Sequence, residues 1–443
     1  MYTKGTVIFK LWEKFSGFLS GLTKPARQHL FNLVLSILAL NGFQSVKFSY
    51  DNFMRQISER SLKSYYYTLS KGKTDIQSLM DNLIRMALTL PAKEEKQPLV
   101  ISIDDTMVEK FGKKFDHCSK LFDHAAHNGT NYLNGHCFVS MLLATPICDD
   151  GGKRYIPFPV AYRMWTHKST KLEMAAEMVR SAMRCIGQDR QTILCCDSWY
   201  PKGPVKELVN EFSNLTLICS VRSDTALYAL PPERTGKRGR PRVRGERISL
   251  EDFPMEDIPG TDYKVGVRPV MTDLFKHRIM YAIVTQSKSG KSRRLFLCSR
   301  NPEELCFDLA FLNNDNASAY ARHNPGLLPL TIYSMRWAIE VAYYEQKQFW
   351  SLSDYRVRTR NGIERLVNLL TLTYAFMKLL PYLSEDFSIM KECGAQQTRF
   401  VLGSLVQQQI FLSRFVERPE NAKNNRTFFD PLQSQFLASW LVA

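Results

Sequence analysis

The chain has 443 residues, with 59 Lys and Arg against 43 Asp and Glu, a formal net charge of +16. With 44% hydrophobic and 23% charged residues it can bury a sizeable core, which excludes a disordered tail, a fibre and a small disulfide scaffold. The excess positive charge bears on partners rather than on fold: nucleic acid first, an anionic membrane second.

The membrane reading is the weaker of the two. The oiliest stretches, around Leu30–Leu40 and Leu366–Leu383, are interrupted by Asn32, Ser36, Asn368 and Lys378, whereas a spanning helix needs about 20 predominantly apolar residues. Both read as buried helices. The first residues, MYTKGTVIFKLWEKF, lack the apolar core and small-residue cleavage site of a signal peptide. The ten cysteines form no CxxC pair, so the expectation is a cytoplasmic protein with reduced thiols.

In chain order, residues 1–95 carry helical periodicity in HLFNLVLSILAL and DIQSLMDNLIRMALTL. Between them, SERSLKSYYYTLSKGK interleaves basic residues and tyrosines. That pattern suits either a phosphate-contacting helical domain or a solvated face with a few core tyrosines. Pro98 closes this region. LVISIDD (99–105) then reads as a buried strand, followed by strand-like runs at 135–147 and 154–165. A helix is expected over 171–187, a strand over 192–198, a helix over 205–214 and a strand over 215–224. The order β-β-β-α-β-α-β predicts a five-stranded mixed sheet with helices on its faces. Residues 225–325, rich in Gly, Pro and Arg, read as a β-rich insertion. One long helix over about 330–350 and a C-terminal helical region follow. No internal repeat of fixed period is present.

Three carboxylates stand out. Asp104, with Asp105 beside it, follows the run LVISI, and Asp197 follows TILCC. On neighbouring strands two such groups can share a hard divalent cation, although Asp at a strand end is also a common turn or capping residue. The third lies in TIYSMRWAIEVAYYEQKQFW, where Tyr333, Arg336, Glu340 and Lys347 fall at offsets of three, seven and fourteen. In one continuous helix these offsets make a narrow stripe, with a carboxylate between cations as a metal-and-phosphate site requires. An exposed ion-pair face explains the charges but not the tyrosine in the same stripe.

The spacing Y-(2)-R-(3)-E-(6)-K at Tyr333, Arg336, Glu340 and Lys347, with Asp104 in IDDT and Asp197 in CCDSWY, resembles the insertion-sequence-four group of bacterial DDE transposases. The resemblance covers roughly residues 99–380. It implies an α/β ribonuclease-H-like (retroviral-integrase-like) core interrupted by the β-rich insertion. The implied organisation is a helical DNA-binding domain (1–95), a first core part (96–224), the insertion with its basic loop (225–325), a second core part carrying the Glu-bearing helix (326–385) and a C-terminal helical region (386–443). It further implies that Asp104, Asp197 and Glu340 hold Mg²⁺, with Mn²⁺ able to substitute, and that Tyr333, Arg336 and Lys347 contact the transposon ends. Asp104 matches the family's D-x-T better than Asp105 does, and strand alternation sends the two to opposite faces. The chain departs from the family after the second Asp, where it reads Asp197-Ser198-Trp199-Tyr200. The implied activity is metal-dependent cleavage and strand transfer on double-stranded DNA by a homodimer in the bacterial cytoplasm. The alternative is a non-catalytic DNA-binding protein descended from such an enzyme.

Residues 234–247 hold seven basic side chains against Glu246. Within them Arg238-Gly239-Arg240-Pro241 looks like the core of an AT-hook, with Lys237 and Arg242 beside it as further DNA contacts, or else the segment is a generic phosphate-clamping loop. His117, His124, His127 and His136, with Cys118 and Cys137, make zinc conceivable, but their spacing matches no finger. No phosphate loop or dinucleotide fingerprint occurs, so no nucleotide cofactor is expected.

Overall fold

The computed structural model describes residues 6–415, apart from 41, 74, 92, 113, 124–130, 234–241, 260, 277, 291 and 313–324. Its N-terminal helices are α1 (Val7–Phe15), α2 (Lys24–Ala39), α3 (Leu62–Ser70) and α4 (Ile76–Leu88). The first two are capped by Thr6 and Thr23, whose hydroxyls accept from backbone N–H groups of the first turn. The alternating region is β1 (Leu99–Glu109), β2 (Ser119–Phe122), β3 (Tyr132–Asp149), β4 (Gly152–Met164), α5 (Lys171–Ile186), β5 (Thr192–Cys196), α6 (Gly203–Glu211) and β6 (Leu215–Val221). Next come β7 (Leu227–Tyr228), β8 (Arg247–Ile248), β9 (Glu256–Asp257), β10 (Tyr263–Thr272), β11 (Met280–Ser287) and β12 (Arg293–Cys298). The described residues close with α7 (Leu328–Ser334), α8 (Trp337–Phe349), α9 (Arg360–Leu383) and α10 (Ala395–Phe415).

One mixed sheet organises the molecule, in the order β2-β3-β1-β5-β6-β12-β11-β10-β7-β8, with β4 paired to β3 and β9 to β10. β1 runs antiparallel to β3 and parallel to β5, and β5 parallel to β6. The sheet is larger than the five strands expected. β6 leaves one edge free, and β12 pairs with it antiparallel, so the strands of the β-rich segment extend the central sheet.

Alternation divides the core. Ile101, Ile103, Leu194, Cys196 and Leu217 point into a large core that also holds the N-terminal helices, α8 and α9. Val100, Ile193, Cys195 and Ile218 point into a smaller one, covered by Leu328 and Ile332 of α7. β4 contains Pro157 and Pro159, which suits its place at a sheet edge, since proline cannot donate to a ladder. Where the β3–β4 register slips at Met141 and Leu142, the Asn368 carboxamide of α9 accepts from the Tyr162 N–H (2.9 Å) and donates to the Tyr162 carbonyl (2.7 Å). A side chain thus stands in for the missing neighbouring strand. α9 is the one helix among the described residues long and apolar enough to cross a membrane, and 89% of its most apolar stretch lies inside the protein. Its apolarity is that of a core helix.

Candidate active site

The parallel ladder between β1 and β5 runs from Leu99 opposite Thr192 to Ile103 opposite Cys196. The next two residues in register are Asp104 and Asp197. Strands in a ladder lie about 4.8 Å apart, so the two acids leave the C-terminal end of the parallel pair side by side. The strands do not end together. β5 stops at Cys196, and the Asp197 carboxylate accepts the Trp199 N–H (3.0 Å) as the chain turns away. β1 continues to Glu109 against β3. Asp104 therefore sits mid-strand, at the end of the parallel ladder rather than of its own strand as the sequence reading had it.

Glu340 reaches this point from α8. The long helix expected over 330–350 is two helices, α7 and α8, joined through Met335 and Arg336. Around the join the backbone bonds run three residues back: Met335 to Ile332, Arg336 to Tyr333, Ala338 to Met335 and Ile339 to Arg336. In a 3₁₀ turn residues three apart eclipse, so Tyr333 and Arg336 stay aligned across the join. Tyr333 turns into the smaller core, its ring 5.1 Å from that of Phe296, with the Arg336 guanidinium 5.9 Å from its centroid. Arg336 and Glu340 face the sheet's acids. Arg336 donates to Asp104 Oδ2 (3.1 Å) through one arm and to Glu340 Oε1 (2.5 Å) through the other. Lys347 lies further along α8. Burial pushes its ammonium below the ordinary lysine value, and the Asp123 charge pulls the other way.

The acids repel each other. Burial, and then the Asp197 charge, push the Asp104 carboxyl up to about 7 against the opposing pull of Arg336. Burial likewise raises Asp197, with the Trp199 N–H and Arg336 pulling the other way. An acidic pair short of positive charge, offering hard oxygen donors, suits a divalent cation. Among the described residues, however, no group of three or more His, Cys, Asp or Glu side chains is arranged to hold a metal ion. Asp104 and Asp197 fit as two donors, while the third candidate, Glu340, is bonded to Arg336.

Asp105 points to a separate network that the sequence reading missed. It accepts from Lys171 Nζ (2.7 Å), Tyr200 Oη (3.0 Å) and Cys137 Sγ (3.3 Å). Lys171 is placed by a capping box at the start of α5, in which Thr170 and Glu173 exchange bonds. Its ammonium lies 5.2 Å from the Trp165 ring and 5.6 Å from that of Trp199. The sequence signal available was the aromatic pair Trp199-Tyr200, one residue beyond the Ser198 that follows the second acid. The histidine cluster does not gather as a metal centre among the described residues. His136 uses both ring nitrogens, on Tyr355 Oη (2.7 Å) and the Asp116 carbonyl (2.9 Å), while Cys118 accepts from Asn134. His124, His127, Lys237, Arg238 and Arg240 lie outside the described residues, and Arg242 is exposed.

No curated protein matches the chain. Residues 17–261, more than half of it, match the family described as DDE superfamily endonuclease. That span contains Asp104 and Asp197 and ends before Glu340. With two acids next to each other just past the last pair of a parallel ladder, and this match along the chain, the protein belongs to the DDE superfamily endonucleases.

Proposed function

We propose that the protein is a DNA transposase of the insertion-sequence-four kind, which binds the ends of its mobile element, cleaves them and joins them to a target. The observation that carries this reading is the register that sets Asp104 beside Asp197, with Arg336 of the Tyr-Arg-Glu-Lys motif reaching Asp104 and Glu340 together. The strand order β4-β3-β1-β5-β6, in which β3 alone runs antiparallel to the other four, favours a ribonuclease-H-like core.

Asp104, Asp197 and Glu340 would hold Mg²⁺ or Mn²⁺, ions that neutralise the phosphodiester and activate a water or a DNA 3′-hydroxyl. The chain's own part is positioning and charge. Asp104 and Asp197 are fixed by the ladder, Arg336 presents a planar two-armed donor suited to a phosphate, and Lys347 and the seven basic residues in the sequence 234–247 add charge for the phosphates of the duplex. The overall charge of +16 supports attraction to DNA. A homodimer on paired element ends in the bacterial cytoplasm completes the proposal.

The test is Mg²⁺-dependent nicking and joining of duplex DNA that carries the element's terminal repeats, comparing wild type with Glu340→Gln and Asp104→Asn. Loss of both steps in either variant supports the assignment. Cleavage by the variants at the wild-type rate overturns it, and DNA binding without any metal-dependent cleavage favours the non-catalytic alternative.

A further inference from the structure

Arg336 occupies the place where the two outer members of the acidic trio meet. Its side chain is 15% exposed and joins Asp104 of β1 to Glu340 of α8, residues distant in sequence. The guanidinium is a rigid fork that donates in fixed directions and stays charged. Here each arm takes one carboxylate oxygen, Oδ2 of Asp104 and Oε1 of Glu340. Those oxygens are among the donors that a cation shared with Asp197 would need. The tightened backbone at Met335 and Arg336 starts the arginine side chain at the head of α8, one helical turn before Glu340, so the i,i+4 bond to Glu340 forms within the helix.

We infer that Arg336 is an internal countercation. It holds Asp104 and Glu340 in place of a divalent ion, and it must leave them, for a DNA phosphate, before Glu340 can join Asp104 and Asp197 as a ligand. The inference rests on the proposed nuclease site and adds to it an order of events: metal and arginine compete for the same oxygens, and DNA relieves the competition by giving the guanidinium another anion. With all three acids ionised, three carboxylates and one guanidinium leave two net negative charges. One divalent ion balances these with Arg336 in place, and a second requires its departure or an incoming phosphate.

The experiment follows free Mn²⁺ by its paramagnetic resonance signal during titration of the full chain, with and without a short DNA duplex. Removing a competing cation predicts tighter binding, and couplings between two ligands of one site are typically about 5- to 150-fold. Arg336→Gln should therefore bind Mn²⁺ about tenfold more tightly than wild type without DNA. Duplex should strengthen Mn²⁺ binding to wild type and leave the variant unchanged. Arg336→Lys, which keeps the charge but cannot span both carboxylates, should fall between them and serves if the glutamine variant does not fold. Equal or weaker Mn²⁺ binding by the folded Arg336 variants overturns the inference while Asp104→Asn still abolishes binding. Mn²⁺ binding that Asp104→Asn leaves unchanged removes the metal site itself, and the inference with it.

Discussion

Tyr200 donates its hydroxyl to Asp105 across 3.0 Å, tying the turn that follows Asp197 to the strand that carries Asp104. Tyr200 is fully buried, and burial together with the Asp105 charge keeps its hydroxyl protonated well above the ordinary tyrosine range. The bond therefore fixes one candidate metal ligand relative to the other through their neighbours in sequence.

Tyr200→Phe removes that donor and leaves Asp105 with Lys171 and Cys137. Loss of a hydrogen bond to a buried charged group costs about 1.5–3 kcal/mol, which urea denaturation would read as a lower midpoint at unchanged slope. DNA nicking should fall with it, because the turn bearing Asp197 is no longer pinned. A variant as stable and as active as wild type would show that the turn is held by packing alone.

The Asp104 carboxyl, pushed up to about 7, sets a pH dependence. A carboxyl whose folded value lies above its unfolded value of about 3.9 contributes stability that is fully present below pH 4 and lost as pH rises through 7. Above that, the ionised acid beside Asp197 costs up to about 4 kcal/mol. Asp104→Asn should thus be more stable than wild type at pH 8, with the gain shrinking steadily to pH 5. Chemical denaturation across that range checks it, and a difference independent of pH would mean that neither burial nor Asp197 holds the Asp104 carboxyl up.

Lys347 is half-buried at the far end of the α8 face that begins with Arg336, and burial lowers its ammonium. If it meets a phosphate, Lys347→Gln should weaken DNA binding evenly across sequences and reduce the slope of log affinity against log salt by about 1. Fluorescence anisotropy at several salt concentrations measures both. A slope unchanged by the substitution places Lys347 off the DNA track, and a flat salt response in wild type would contradict nucleic-acid binding altogether.

Much of the architecture was legible in the residues. The β-branched run before Asp104, the cysteine-rich run before Asp197 and the capped helix between them depend on local periodicity and on short-range propensity, which a sequence displays directly. The broken helix was not legible. Nothing in TIYSMRWAIE forbids a continuous helix, and the 3₁₀ join arises because Ile332 and Ile339 are claimed by cores on opposite faces of the sheet. Asp105 was visible only as the neighbour of Asp104, because its partners Lys171, Tyr200 and Cys137 come from three other segments.

The sequence by itself determined the types of chemistry available: three acids at spaced motifs, a cationic surplus, and most of the strands and helices, all written in contiguous stretches. Tertiary structure alone decided which of those groups meet. It set Ile103 against Cys196 and so put Asp104 next to Asp197, it turned Tyr333 into the smaller core, and it laid Arg336 across Asp104 and Glu340. Strand register and helix phase are settled by the burial of whole faces, and that is a property of the assembled core rather than of any one segment.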